Sequence, residues 1–212
     1  MATEARRAMA TAPMRAVRPV MLRDMYANPE KEVGRLRDRG VLTQIARGTY
    51  LVKPDNMRAD QDWRPGFEAT AMAYATAAYG DRVPVLVGIG AARFHRAIPR
   101  ALAVTVVAVP AAHRDVNLMT GGRVVFTTTD TEKIDARAER TPLGAMLVAT
   151  PEQTLVDLVA RPTLGGVPDE AGAAARELAT RVDHARVARN LERYPATVAK
   201  KVRCVLHDAE RQ

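Results

Sequence analysis

The chain has 212 residues, and 32 lysines and arginines outnumber 24 aspartates and glutamates, which gives a formal charge of +8. Hydrophobic residues make up 47% and charged residues 26%, a composition typical of folded globular proteins and not of disordered or fibrous chains. Aromatic residues make up only 4%, too few for a module that stacks unpaired bases on aromatic rings.

Three short helices are predicted in the first 40 residues. Residues 4–12 are rich in alanine and predict the first helix. Arg18-Pro19 starts the second, because proline is tolerated at the first helical position. Asn28-Pro29-Glu30 is a typical start of the third helix, and Gly40 ends it in the position that glycine favours.

A β-hairpin is predicted directly after the third helix. Its two arms, residues 41–45 and 49–52, are rich in β-branched and aromatic residues, and Arg47-Gly48 supplies the turn. Three helices followed by a hairpin are the element order of a winged helix-turn-helix, whose last helix enters the major groove of DNA. Residues 1–54 are therefore predicted to form a DNA-binding domain.

A second domain is predicted after a polar, charged linker at residues 55–65. Helical and strand patterns mix from residue 66 onward, and three helices rich in alanine and basic residues close the chain. The predicted fold class is therefore α+β: a winged helix-turn-helix, then a mixed α/β domain over residues 66–212 with a small, mainly antiparallel sheet and C-terminal helices.

The positive charge is concentrated at the two ends of the chain. Residues 1–54 hold eleven basic and five acidic side chains, a net charge of +6. Residues 55–180 hold thirteen basic and fifteen acidic side chains, and residues 181–212 hold eight and four, which gives −2 and +4. Basic ends that fold near each other would form one surface for the phosphate backbone of DNA.

The candidate DNA-contacting side chains are those that point outward from the two basic ends. On the third helix, Lys31 and Arg35 point away from the apolar face, with Arg39 on the flank. The full set is Arg18, Arg23, Lys31, Arg35, Arg39, Arg47, Thr49, Arg186, Arg189, Arg193, Lys200 and Lys201. Two alternatives stay open: these residues form solvated helix faces, or the winged helix serves protein contacts only.

Residue counts argue against catalytic and metal chemistry. The chain has no serine, so a Ser-His-Asp triad cannot form. Its single cysteine, Cys204, excludes an internal disulfide and a multi-cysteine metal site. The acidic residues between positions 115 and 135 lack the spaced acid–lysine pattern of metal-dependent nucleases. We expect no enzymatic activity, no metal and no other cofactor.

The sequence predicts a cytoplasmic protein without a membrane-spanning segment. Its N-terminus has arginines but no apolar stretch of the kind that secretory signals contain. The longest apolar run, residues 101–112, is interrupted by Thr105 and Pro110 and is shorter than a membrane span requires.

Two stretches resemble the antitoxins of the AbiEi family. The first is the run Leu36-x-x-x-Gly40-Val41-Leu42-x-x-Ile45-x-Arg47-Gly48-x-Tyr50, which is similar to the family's recognition-helix end and wing. The second is Thr150-Pro151-Glu152-Gln153-Thr154-Leu155-Val156-Asp157-Leu158, followed by Arg161-Pro162 and Gly165-Gly166. The resemblance extends from about residue 20 to the C-terminus.

This resemblance implies a DNA-binding antitoxin that represses its own toxin–antitoxin operon. Its DNA partner would be double-stranded operator DNA with inverted repeats, bound by two copies, and its functional partner a cognate nucleotidyltransferase toxin. The resemblance also implies that the middle domain neutralises the toxin, and it leaves open whether the two proteins touch. The alternative is a protein that acts mainly by protein–protein contact, with DNA binding incidental.

Overall fold

The computed structural model of the chain describes residues 7–54, 57 and 63–211. The strands in this part are β1 (Ala16–Val17), β2 (Leu42–Ala46), β3 (Thr49–Val52), β4 (Val85–Val87), β5 (Val104–Val109), β6 (Val116–Asn117), β7 (Arg123–Thr128), β8 (Ala136–Thr141) and β9 (Gly144–Ala149). The α-helices are α1 (Pro29–Asp38), α2 (Phe67–Tyr79), α3 (Gly88–Phe94), α4 (Pro151–Ala160), α5 (Pro168–Ala179), α6 (His184–Leu191) and α7 (Ala196–Glu210). Residues 7–10 are also helical, and 3-10 turns lie at Pro13–Arg15, Pro19–Leu22 and Thr131–Lys133.

The N-terminal segment forms a three-stranded antiparallel sheet in the order β1-β3-β2. Adjacent residues of a strand point to opposite faces of the sheet. Val52 accordingly packs with Val33 and Leu36 of α1, whereas Leu51 joins the large core that contains α2. Both faces of this small sheet are therefore covered, one by α1 and the other by α2.

The second predicted helix is wrong in type and length. The chain forms only the 3-10 turn Pro19–Leu22, with the N–H of Met21 bonded to the Arg18 carbonyl and that of Arg23 to the Val20 carbonyl. Few residues separate this turn from the cap of α1, and so short a segment cannot offset the cost of starting an α-helix. The third helix is confirmed, and Asn28 Oδ1 accepts its capping bond from Lys31 N at 3.0 Å.

The remaining strands form a six-stranded sheet in the order β6-β7-β5-β4-β9-β8. Within the described residues, β5 pairs with β7 and β4 with β9 in parallel, and the other three neighbouring pairs are antiparallel. The predicted α+β class is confirmed, with a sheet that is mixed and only slightly richer in antiparallel pairs. Strand β8, an edge strand with the charged sequence ARAERT, was not predicted from the sequence.

Helices cover the two faces of this sheet separately. Tyr74 of α2 packs against Phe126 of β7, with ring centroids 6.1 Å apart. The next residue, Thr127, accepts a 2.7 Å hydrogen bond from Arg161 at the end of α4. Since Phe126 and Thr127 point to opposite faces, α2 and α4 lie on opposite sides of the sheet.

The two ends of the chain follow these two helices. The segments β1, β2, β3 and Pro13–Arg15 contact α2, whereas α5, α6 and α7 contact α4. Residues 7–54 and the C-terminal helices are thus held on opposite sides of the six-stranded sheet. Most of the predicted linker at residues 55–65 lies outside the described residues, and the division into domains at 1–54 and 66–212 stays a prediction.

Candidate nucleic-acid interface

Helix α1 presents an exposed basic face. Val33 and Leu36 are buried against the small sheet, and this fixes which side of the helix faces outward. Lys31, Arg35 and Arg39 are exposed on the outward side, as their spacing of four residues predicts. The three cations that the sequence analysis placed together are therefore brought together.

An acidic residue holds the central arginine of this face. Arg35 donates through Nε to Glu32 Oε2 at 2.9 Å and through Nη2 to Glu32 Oε1, one helical turn away. The Arg35 guanidinium lowers the pKa of the Glu32 carboxyl, so Glu32 is ionised at neutral pH. This pair was not predicted from the sequence, although a spacing of three residues on a helix is a recognisable signal.

The hairpin turn carries one exposed cation. Arg47 is exposed at the tip. Gly48 follows it with a φ of +69°, a conformation that residues with a side chain rarely adopt. Thr49 is only 3% exposed, so its side chain faces the protein interior. Arg18 and Arg23 flank the 3-10 turn Pro19–Leu22 and are both exposed.

The basic residues of the C-terminal helices divide into two groups. Arg189, Lys200 and Lys201 are exposed. Arg186 instead donates to the carboxylate of Asp135, with bonds of 2.7 Å and 2.6 Å. Arg193 is exposed as well, but its Nη2 donates to Gln153 Oε1 at 3.1 Å. Two of the predicted DNA contacts thus bind α6 and the segment after it to the rest of the fold.

The expectation of one basic surface built from both ends of the chain is wrong. α1 lies with the small sheet on the α2 side of the six-stranded sheet, whereas α6 and α7 lie on the α4 side. The charge pattern could not reveal this separation, because net charge carries no information on which face an element covers.

Other kinds of site receive no support from the part of the chain that is described. Among those residues, no three histidine, cysteine, aspartate or glutamate side chains are grouped so that they could hold a metal ion. None of the helices at residues 7–54 and 63–211 has the length and hydropathy needed to cross a membrane.

The chain is similar in sequence to a protein family and in fold to a solved structure. A family model described as the AbiEi antitoxin C-terminal domain matches residues 67–208, which comprise the six-stranded sheet and α2 to nearly the end of α7. No curated protein sequence matches the chain. The crystal structure of RV2827C protein from Mycobacterium tuberculosis is similar in fold, with a TM-score of 0.61 and 19% identity over 92% of this chain and 72% of that chain. Since the family match spans well over half of the sequence, the chain belongs to the AbiEi antitoxin family.

Proposed function

We propose that this antitoxin binds double-stranded operator DNA through residues 1–54 and represses its own operon. The observation that supports this most directly is the exposed basic face of α1, which presents Lys31, Arg35 and Arg39 to solvent. The hairpin adds the exposed Arg47 at its tip. The order of helical residues 7–10, β1, a 3-10 turn, α1 and the β2–β3 hairpin fits a winged helix-turn-helix with a shortened second helix.

In this proposal α1 enters the major groove and the hairpin follows the adjacent backbone. A helix of ten residues is about 15 Å long, enough to cross one major groove. Lys31 and Arg39, near the two ends of α1, would bracket the groove by contacting phosphates. Arg18, Arg23 and Arg47 would add phosphate contacts, and two copies would occupy inverted repeats. Thr49, being buried, would support the hairpin and contact no DNA.

The antitoxin activity itself is assigned to the segment that the family model matches. We infer that residues 67–208 counteract a cognate nucleotidyltransferase toxin in the cytoplasm, without catalysing a reaction. α1 lies outside these residues, so DNA binding and toxin neutralisation are separable in this proposal. The alternative, in which protein contact is the main activity and DNA binding incidental, is tested with the same variants.

The test uses a DNA fragment from directly upstream of the protein's own coding sequence. A Lys31→Ala/Arg39→Ala double variant is compared with an Arg137→Ala/Arg176→Ala control, which removes two exposed cations from β8 and α5. We expect the first variant to lose at least about tenfold in affinity and about two units of the slope of log K against log salt. The control should match the wild type.

Two results would decide against the proposal. Equal losses of DNA affinity in the two double variants would mean that α1 contributes to binding only through its net charge. A wild-type affinity that does not change between low and physiological salt would exclude phosphate contacts. Toxin protection in cells, measured with the same variants, should be retained when DNA binding is lost, and its loss would contradict the separation of the two activities.

A further inference from the structure

A cleft of about 290 Å³ opens on the α4 side of the molecule, away from α1. It lies between the end of β7, the Thr131–Lys133 turn, α4 and the segment that joins α6 to α7. Its lining residues are Thr128, Thr129, Asp130, Lys133, Ile134, Gln153, Arg161, Arg193 and Tyr194. The proposed DNA surface on α1 shares none of them.

Three cations converge on this cleft. Lys133 pairs with Asp130 at 2.8 Å, whereas Arg161 and Arg193 form no ion pair with any described carboxylate. Arg193 is close enough to Lys133 to oppose the rise in the Lys133 pKa that Asp130 causes. Like charges that face a common concavity repel each other, so their placement here has an electrostatic cost that a bound anion would remove.

The floor of the cleft fixes one arginine in place. Gln153 Nε2 donates to Asp157 Oδ1 at 2.9 Å and to the Tyr194 hydroxyl at 2.8 Å, and that hydroxyl donates to Asp157 Oδ1 at 2.9 Å. Gln153 Oε1 remains free to accept from Arg193 Nη2, at 3.1 Å. The Arg193 guanidinium is thus oriented before any ligand arrives.

A buried carboxyl group lies beneath these side chains. Asp157 is 6% exposed, and burial raises the pKa of its carboxyl. Its hydrogen bonds to Tyr194 and Gln153 and the charges of Arg161 and Arg193 oppose this rise. Thr129, directly after β7, also lines the cleft and carries a hydroxyl group that can donate a hydrogen bond. Hydroxyl, ammonium and guanidinium donors match the oxygens of a phosphate group, and the planar guanidinium of arginine binds two of them at once.

We propose that this cleft binds the phosphate group of a small anionic ligand, either free phosphate or a phosphomonoester. Its volume lies at the lower end of small-molecule sites, which span roughly 300–1,000 Å³. A DNA duplex is too wide to enter such a cleft and would reach only its rim. Ile134 supplies an apolar wall against which the organic part of a phosphomonoester would pack.

The proposal is tested by calorimetry on the full chain, with inorganic phosphate, AMP and adenosine as separate probes at constant ionic strength. We expect saturable binding of phosphate or AMP and none of adenosine. Tighter binding of AMP than of phosphate identifies a phosphomonoester site, and the reverse order identifies a free-phosphate site. Failure of both phosphate-bearing probes to bind, or equal binding of adenosine, overturns the proposal.

Variants of the cleft locate the binding. Arg193→Gln should weaken binding by about tenfold or more, because a charge-assisted hydrogen bond is lost, and Lys133→Ala should weaken it less. Arg189→Gln on α6 removes one exposed cation outside the cleft and should have no effect. If Arg193→Gln unfolds, Lys133→Ala decides, since that side chain is 73% exposed. Equal losses in Arg189→Gln and the cleft variants, or displacement of phosphate by short duplex DNA, would contradict a small-ligand site.

Discussion

Asp135 and Arg186 form a two-bond ion pair that joins the start of β8 to α6. Arg186 Nε donates to Asp135 Oδ2 at 2.7 Å and Nη2 to Oδ1 at 2.6 Å. The same carboxylate accepts from Thr150, the N-cap of α4, at 2.9 Å and from Asn190 of α6 at 3.1 Å. One carboxylate thus connects the edge of the sheet to both α4 and α6.

Replacing this carboxylate should destabilise the fold. In Asp135→Asn, the new amide cannot accept both bonds from Arg186, so the guanidinium keeps only its longer 3.8 Å ion pair with Glu152 in a site where the side chains are mostly buried. We expect the free energy of unfolding to fall by about 2–4 kcal/mol. Urea unfolding measures this, with Asp208→Asn on the exposed face of α7 as control. Equal unfolding midpoints for the two variants would contradict the role given to the pair.

The same ion pair should make stability depend on pH in acid. Hydrogen bonds from Arg186 hold the pKa of Asp135 far below its ordinary value in the folded protein. A carboxyl with a lowered folded pKa stabilises the fold fully above its unfolded pKa of about 3.9, and this contribution is lost as pH falls toward the folded pKa.

The wild type should therefore begin to lose its stability advantage over Asp135→Asn below about pH 5 and should go on losing it as pH falls toward the folded pKa of Asp135. The difference between the unfolding free energies of the wild type and Asp135→Asn is taken at each pH. This difference also removes the contribution of Asp157, whose raised pKa changes stability with pH in the opposite direction. If this difference in unfolding free energy stays constant or grows as pH falls, Asp135 is not the group that makes stability depend on acid pH.

Two glycines inside helices should respond oppositely to alanine. A Cβ at Gly90 of α3 would overlap Thr105 Oγ1 and approach Leu86 Cδ1 to 2.8 Å, whereas a Cβ at Gly34 of α1 would meet nothing within 4 Å. Gly90→Ala should lower the free energy of unfolding by about 1–3 kcal/mol through overpacking, and Gly34→Ala should raise it by about 0.5–1 kcal/mol. Thermal or urea unfolding distinguishes them. A neutral Gly90→Ala would mean that α3 shifts away from β5 at little cost.

These contrasts show where sequence patterns suffice to predict structure and where they fail. α1 was predictable because a cap, a proline and an apolar face agree over Asn28-Pro29-Glu30, and β5 because six consecutive residues favour a buried strand. β8 was not, since an edge strand faces solvent and can carry charges in place of an apolar alternation.

The candidate sites show the same limit. The outward direction of Lys31 and Arg35 follows from helical spacing alone. Arg186 and Arg193 donate hydrogen bonds to Asp135 and Gln153, which lie 51 and 40 residues away in sequence. Local sequence patterns do not predict contacts at such separations. The cleft could not be predicted from the sequence for the same reason, because only the fold brings Lys133 and Arg193 to a common cleft.

Neutralising the acidic partner of Arg35 should strengthen DNA binding. Glu32 places a negative charge on the face of α1 that is proposed to meet DNA, and it holds the Arg35 guanidinium. In Glu32→Gln we expect affinity for the upstream fragment to rise on the order of threefold at low salt, because a repulsive charge is removed. Filter binding or fluorescence anisotropy measures the change, and Glu30→Gln serves as a control on the same helix. A lower affinity would show that Glu32 is needed to position Arg35.

The exposed cations of α7 should contribute little to binding of a short operator fragment. Lys200 and Lys201 lie on the α4 side of the six-stranded sheet, so a duplex seated on α1 does not reach them without bending around the molecule. Their predicted role as DNA contacts is tested with Lys200→Ala/Lys201→Ala on fragments of increasing length. We expect a change of about twofold or less on a fragment that covers one operator, and a larger loss only on fragments long enough to wrap. A tenfold loss on the shortest fragment that still binds, comparable to the effect at Lys31 and Arg39, would instead place both basic ends against one stretch of DNA, and α1 would then not be the main contact surface.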